Sequence, residues 1–435
     1  MSFCLCGKKK LSGKLIKKVL SMETIILVVA ISFGFYMAWN IGANDAANSM
    51  GTSVGSGALT LKQAVIAASF FSFIGAILLG GDVTNTIRKG MIDPAIFLHA
   101  PFSLVYGMLA ALIATGLWLQ LATYYGLPVS TTHSIVGAII GIGFIVGGLD
   151  ALNIKKILQI FTSWVVSPLS GSLIAFIVFT FIKKKIIDTE TPLLNVKTQA
   201  PYLVFTVFII LTLSLIYKGM KNLHLNIPFD KALVISTGAG ILSFLTCVLL
   251  IKKIKDDQES VLEIEFNRME KIFGHLQILT AFYVALAFGA NDVANAIGPL
   301  AAIVSVIQTN TVAMKIEVPI WILALGGTGI AIGICTWGYK VIETTGKKIT
   351  ELTPSRGFSA EFGTATTVLA CSLLGLPVST THTLVGSIIG VGVARGIATL
   401  NFQVVKNIVF SWIITLPLTA ILSIIIYKIL VLLFA

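Results

Sequence analysis

The sequence predicts an all-α polytopic membrane protein built from a duplicated unit, with about 10–12 transmembrane segments. Three observations carry that prediction. Of 435 residues, 56% are hydrophobic and only 11% are charged, where soluble domains carry roughly a quarter charged residues. Mean hydropathy is +0.94, and the apolar residues fall in runs of about 20, enough for helices that cross a hydrocarbon core. A transmembrane barrel would show alternating ten-residue segments instead, and the sequence has none. Finally, two motifs recur in the same order. GANDAAN at 42–48 returns as GANDVAN at 289–295, and GLPVSTTH at 126–133 returns unchanged at 375–382. The second copies lie 247 and 249 residues downstream of the first, so the chain is an internal repeat.

Taken in order, residues 1–22 form a basic arm, and the run after it is too long for the core of a signal peptide. The arm therefore leads into an uncleaved first helix. The first half spans 23–251 and includes connecting helices. A charged linker follows at 252–271, KKIKDDQESVLEIEFNRMEK, with the spacing of an amphipathic helix. The second half spans 272–435. Apolar runs fall near 24–43, 63–80, 95–121, 129–148, 157–182, 202–217, 232–251, 273–290, 319–337, 361–374, 378–396 and 406–434. The formal net charge of +12 fits lysines and arginines placed in cytoplasmic loops near anionic headgroups, and does not imply nucleic acid. Cys4, Cys6, Cys247, Cys335 and Cys371 have no metal-ligand spacing beyond the lone Cys4-Leu5-Cys6.

Duplicated membrane units commonly carry a substrate site near the bilayer midplane, at the repeat interface, built from broken helices. Two features supply such breaks. After Gly42 the chain is dense in glycine and serine, which weaken helix. Pro128 and Pro377 disfavour helix at the leucines before them. Ser130, Thr131, Ser379 and Thr380 then suit the N-caps of the apolar helices that follow. A helix N-terminus offers free N–H groups and the positive end of its dipole, an anion site that needs no lysine. Two hairpin tips facing each other would hold an anion among Ser130, Thr131, Thr132, Ser379, Thr380 and Thr381. Thr115 and Thr364 sit at matching places on the entering helices. They either add hydroxyls to that site or bond the backbone one turn back.

The other motif supplies oxygen ligands. On a helix, Asn44, Asp45 and Asn48 share a face, as do Asn291, Asp292 and Asn295, and these are donors for hard cations such as sodium. Asn48 and Asn295 also point to the anion. An unpaired carboxylate at bilayer depth is costly and marks function; capping of broken helices is the competing role. A divalent anion beside two aspartates would not enter a dry site without cations or protons to balance it. Anion binding that requires cation binding is the core of symport. No other cofactor is expected.

The two GAND elements, the two LPVSTTH elements and VTNTIRKGMID at 83–93 resemble the inorganic phosphate transporter (PiT) family of sodium- or proton-coupled phosphate symporters. The resemblance runs from about Thr24 to the C-terminus. It implies two inverted-topology repeats with two re-entrant hairpins, phosphate as substrate, and a multi-pass place in the cell membrane. By motif, Asp45 and Asp292 match the family's essential aspartates, and Ser130 and Ser379 match the serines of its hairpin tips. Glu361 matches a functional glutamate, here either a sodium ligand or a buried carboxyl that braces the hairpin. The counterpart region Tyr106–Thr115 holds no acid, and Ser72 stands where eukaryotic members have another acid. The long central loop of those members is reduced here to the short linker. The family also implies termini outside and the linker inside, whereas the basic arm alone argues for the reverse.

His133 and His382 fit a brace of each tip better than a proton relay. Arg88 and Lys89 serve either as an attractor of anions or as a membrane-surface anchor. Expected partners are phosphate, sodium and the bilayer, with a homodimer compatible. Three rivals share the fold or the anion chemistry: a proton-coupled permease, a permease for sulfate or another oxyanion, and an anion channel. An enzyme is not expected, because the motifs contain no nucleophile–base set.

Overall fold

Lipid offers backbone groups no hydrogen-bond partners, so the apolar runs must close into helices. The computed structural model describes residues 22–47, 49–89, 91–125, 129–219, 227–254, 262–312, 318–339, 341–342, 352–396 and 402–434. Among these it is helical nearly throughout, with one isolated bridge between Ile92 and Leu152 and no strand. Residues 1–21 of the basic arm, Asn48, the tip residues 126–128 and linker residues 255–261 lie outside the described residues, as do the side chains of Arg88 and Lys89.

Helix α1 (Met22–Ile41) opens into a π-helical turn, Gly42–Ala46, and is followed by the short α2 (Gly51–Gly55). Next come α3 (Leu61–Leu79) and α4 (Gly81–Lys89), then the first hairpin, α5 (Pro101–Tyr124) and α6 (Thr131–Gly147). Helices α7 (Ile154–Ile182), α8 (Pro192–Ser214) and α9 (Phe229–Ile251) connect to α10 (Leu262–Thr309) and α11 (Ile320–Thr336). The second hairpin, α12 (Pro354–Leu373) and α13 (Thr380–Arg395), precedes the last helix, α14 (Phe402–Phe434). Eight helices are long and apolar enough to cross a membrane, among the described residues, and α6 and α11 are shorter apolar helices. The chain is an all-α multi-pass membrane protein.

Two element expectations change. The run at 202–217 begins ten residues earlier, because Pro192 starts α8 at its first turn and the polar NVKTQ stretch continues the helix. The run at 273–290 is the middle of α10, a single helix of 48 residues that starts within the charged linker. The two GAND copies also differ. The first is the π-helical break expected of its Gly- and Ser-rich continuation. The second is unbroken, because AIGPLAAIV replaces SMGTSVGSG after it and supplies helix formers. Pro299 lies inside α10 and brings no N–H for the carbonyl of Asn295, one turn back.

Glycines let the halves interlock. A methyl group on Gly289 of α10 would lie 2.0 Å from the carbonyl oxygen of Ser72 in α3, and one on Gly75 of α3 would lie 2.1 Å from that of Leu286. The other GAND copy repeats this with exchanged partners: Gly42 lies against Ile330 of α11, and Gly333 of α11 against Trp39 of α1. Each half thus lends one helix to the other's motif. The hairpin helices pack the same way. Gly137 and Gly141 of α6 seat on Leu416 and Ala420 of α14, while Gly386 and Gly390 of α13 seat on Pro168 and Ser172 of α7. Small residues four apart are the membrane's usual route to close helix contact. Helix α9 is peripheral, with only Ala232, Ser236 and Gly240 buried; its outer face is exposed and leucine-rich.

Candidate functional site

Ser130 and Ser379 adopt matching extended backbones, φ −83° and −82°. Each hydroxyl accepts from a backbone N–H three residues on, His133 and His382 respectively, at 3.2 Å in both cases. The caps expected from sequence are therefore present, and both tips present helix N-termini. The tips meet. Thr132 donates to the carbonyl of Val378 at 3.0 Å, and the His133 and His382 rings pack edge to face with centroids 4.3 Å apart. Trp164 of α7 lies over His133 at 3.7 Å and donates its indole N–H to the Pro377 carbonyl. Thr86 of α4 donates to the carbonyl of Gly375 at 2.6 Å, where φ is +67°, a turn conformation that suits glycine.

Both aspartates enter this junction. Asp45 accepts from the Thr131 hydroxyl at 2.5 Å and from the Thr131 N–H at 3.4 Å through Oδ2, and from the Thr381 hydroxyl through Oδ1. One carboxylate thus holds both tips. Asp292 accepts from Thr380 at 3.1 Å and from Asn291 at 2.9 Å. Asn291 also donates to the Val378 carbonyl at 2.8 Å, and Asn295 donates to Thr131 and Thr132 at 3.1 and 3.2 Å. Every one of these side chains is essentially buried, and no Lys or Arg is buried among the described residues. The Asn295 Oδ1 atom is buried without a hydrogen-bond partner. The arrangement concentrates carboxylate, carboxamide and hydroxyl oxygens beside two helix N-termini. Chemically it suits a hard cation and an oxyanion held side by side.

The structure separates other expected members from this cluster. Asn44 donates to Thr123 of α5 at 2.9 Å, whereas its counterpart Asn291 binds the tip of its own half. Thr364 donates to the Ala360 carbonyl at 2.7 Å, the bond one turn back weighed above. The Thr115 hydroxyl is buried with no partner. Glu361 is held elsewhere, in a cage that sequence reasoning did not identify. Its Oε1 accepts from Thr52 at 2.7 Å, Ser53 at 2.5 Å and Gln277 at 3.0 Å, and its Oε2 from Thr280 at 2.7 Å. Gln277 and Thr280 were visible only as two polar residues three apart in an apolar run, which places them on one helix face. A second unanticipated contact lies at the start of the same hairpin. Glu270 of α10 accepts from the N–H and hydroxyl of Ser355, at 2.9 and 2.7 Å, in the first turn of α12.

Residues 41–423 match the family described as the phosphate transporter family. A Pyrococcus furiosus protein named as a phosphate permease is 47% identical over 408 residues, covering 94% of this chain and 97% of its own. The Arabidopsis thaliana protein named inorganic phosphate transporter 2-1, chloroplastic, is 42% identical over 434 residues, covering 93% of this chain and 72% of its own. Among solved structures, one described as the sodium-dependent phosphate transporter superposes with a TM-score of 0.88 at 42% identity, over 94% of this chain and 99% of that one. With the duplicated tips, the paired aspartates and matches along nearly its whole length, this chain belongs to the phosphate transporter family.

Proposed function

We propose that the protein is a secondary active symporter that imports inorganic phosphate together with sodium ions. The observation that carries this reading is Asp45, a buried carboxylate that accepts from Thr131 of one tip and Thr381 of the other. It ties the seat for cations to the seat for the anion. Phosphate binds between the N-termini of α6 and α13, where Ser130–Thr132 and Ser379–Thr381 supply N–H and hydroxyl donors. Sodium ions bind the oxygen atoms of Asn44, Asp45 and Asn48, and of Asn291, Asp292 and Asn295. The carbonyl of Asn295, which Pro299 leaves without its usual donor, adds a further oxygen.

The coupling follows from charge. Two like charges about 6 Å apart repel by about 3 kcal/mol at an effective dielectric near 20. A divalent phosphate beside two aspartates meets that cost several times over. Cations bound first remove it, so the anion site fills only when the cation sites are filled. The loaded, nearly neutral site then passes from one side to the other as the halves 23–251 and 272–435 move against each other, with inverted topology and 252–271 as their linker. The glycine contacts tie helices of one half to helices of the other, so the movement is confined to contacts that glycine does not lock. The tips, joined mainly by threonine hydroxyls and the His133–His382 contact, form the softer seam. The cell membrane, with the linker inside, is the location consistent with this role.

Uptake of labelled phosphate by reconstituted protein, under separately imposed sodium and pH gradients and with sulfate as competitor, tests the reading. Accumulation that follows the sodium gradient and resists sulfate supports it. Accumulation that follows only the pH gradient selects a proton-coupled permease, and sulfate uptake at equal rate selects a broader oxyanion permease. Flux without accumulation selects a channel.

A further inference from the structure

Away from the tips, a cavity of about 260 Å³ opens between α7, α8 and α12, of which α7 and α8 are long and apolar enough to cross a membrane. Ile177, Val178 and Phe181 of α7, Leu203 and Thr206 of α8, and Phe358 and Phe362 of α12 line it. Its single polar side chain is already satisfied, since Thr206 donates to the Tyr202 carbonyl at 2.9 Å. The floor is two phenylalanines, 1% and 8% exposed, and Ile177 and Phe181 form an open rim, 56% and 40% exposed. An apolar groove at this depth takes a hydrocarbon chain, because the surrounding solvent is hydrocarbon.

Basic residues crowd one end of the groove. Helix α7 continues through a π-helical turn, Lys183–Ile187, directly after Phe181 and Ile182. Lys184 and Lys185 follow Phe181 by three and four residues, so they extend the same face about 5 Å toward the membrane surface. Both are exposed. Lys197, Lys252 and Lys253 belong to the same end of the bundle, because Lys197 donates to the carbonyl of Ile254 at 3.0 Å. Asp188 and Glu190 offset them only in part. Helix α12 runs antiparallel to α7: Gly363 lies against Gly171 and Ala175, while Phe358 and Phe362 face Ile177 to Phe181. The start of α12 therefore lies at this basic end as well.

We propose that the groove is a binding site for an anionic glycerophospholipid, with one acyl chain on Phe358 and Phe362 and the headgroup phosphate on Lys184 and Lys185. Apolar groove and cationic rim lie in the order, and at the separation, in which such a lipid carries its chain and its charge. The chain would contact α12 on either side of Glu361, so the lipid also supports the hairpin helix. The site is separate from the substrate seat and does not depend on the transport reading.

Native mass spectrometry of the purified full-length protein tests this, with phosphatidylglycerol and phosphatidylcholine of equal chain composition in competition. Lysines near a membrane surface each favour anionic lipid by about 1 kcal/mol, so two predict retention of phosphatidylglycerol over phosphatidylcholine by at least about tenfold. Lys184→Glu with Lys185→Glu should abolish the preference. Lys252→Glu with Lys253→Glu, at the same end but off the groove, should keep it. Thr206→Phe and Ile177→Trp, which fill the groove without altering charge, should each lower total lipid retention in protein that remains monodisperse. Glycerol phosphate and inorganic phosphate, which lack a chain, should not displace the lipid. Equal retention of the two lipids, equal losses from both lysine pairs, unchanged retention in both groove-filling variants, or displacement by a chainless phosphate would each overturn the assignment.

Discussion

The cage around Glu361 and the matching place in the first half are built from corresponding residues, yet they share no chemistry. At the motif offsets of 247 and 249 residues, Glu361 corresponds to Leu112, Gln277 to Ala30, Thr280 to Phe33, Thr52 to Pro299 and Ser53 to Leu300. Five polar residues face five apolar ones. Both places are closely packed: Leu112, Ala30 and Leu300 are fully buried in one core, with Phe33 against it, and Leu300 approaches Gly34. The tips, by contrast, keep SerThrThrHis in both halves with the same caps. A seat formed jointly by both halves must be supplied by each of them. A carboxylate that serves one hairpin is needed once. The duplication is therefore retained at the paired tips and lost in the cage, although Thr52 and Ser53 bring the first half into the cage as well.

The comparison can be broken from either side. Leu112→Glu transfers the carboxylate into the apolar copy, where no donor waits among Ala30, Phe33, Pro299 and Leu300. Burial of an unpaired carboxyl should cost about 3–5 kcal/mol, read as a large drop in apparent melting temperature in detergent. Glu361→Leu makes the reverse change and orphans the donors of Thr52, Ser53, Gln277 and Thr280. At about 1–3 kcal/mol for each group left unsatisfied, with some relaxation, the loss should be about 3 kcal/mol. Glu361→Gln keeps the shape and removes the charge. A smaller loss of about 1–2 kcal/mol is expected, together with a weaker response of phosphate uptake to sodium; an unchanged response would assign Glu361 to bracing alone. Thr280→Val removes one of four donors and should cost about 1 kcal/mol, with uptake retained.

Legibility in the sequence followed the same division. Asp45, Asp292 and the tip residues were readable because each recurs in a second copy, with helix-capping chemistry that local rules recognise. The cage was not readable, because its members come from positions 52–53, 277–280 and 361, and nothing recurs to connect them. Glu361 itself came only from the family resemblance. The continuity of α10 was equally hidden. Local rules give Pro299 as a helix breaker, but neighbouring helices in a membrane bundle can hold a helix through a proline. The split behaviour of Thr115 and Thr364, one without a partner and one bonded to its own helix, turns on packing that spacing does not reveal. The different turns of Asn44 and Asn291 depend likewise on which neighbour comes within reach.

Coupling at the two-tip carboxylate is the central claim. The direct test is the sodium dependence of phosphate uptake in liposomes for the unaltered protein and for Asp45→Asn, compared at matched reconstitution. The account predicts that the variant stays folded, loses most of its sodium-driven accumulation and needs a higher sodium concentration for half-maximal uptake. Phosphate accumulation in Asp45→Asn with the same sodium response as the unaltered protein would contradict it.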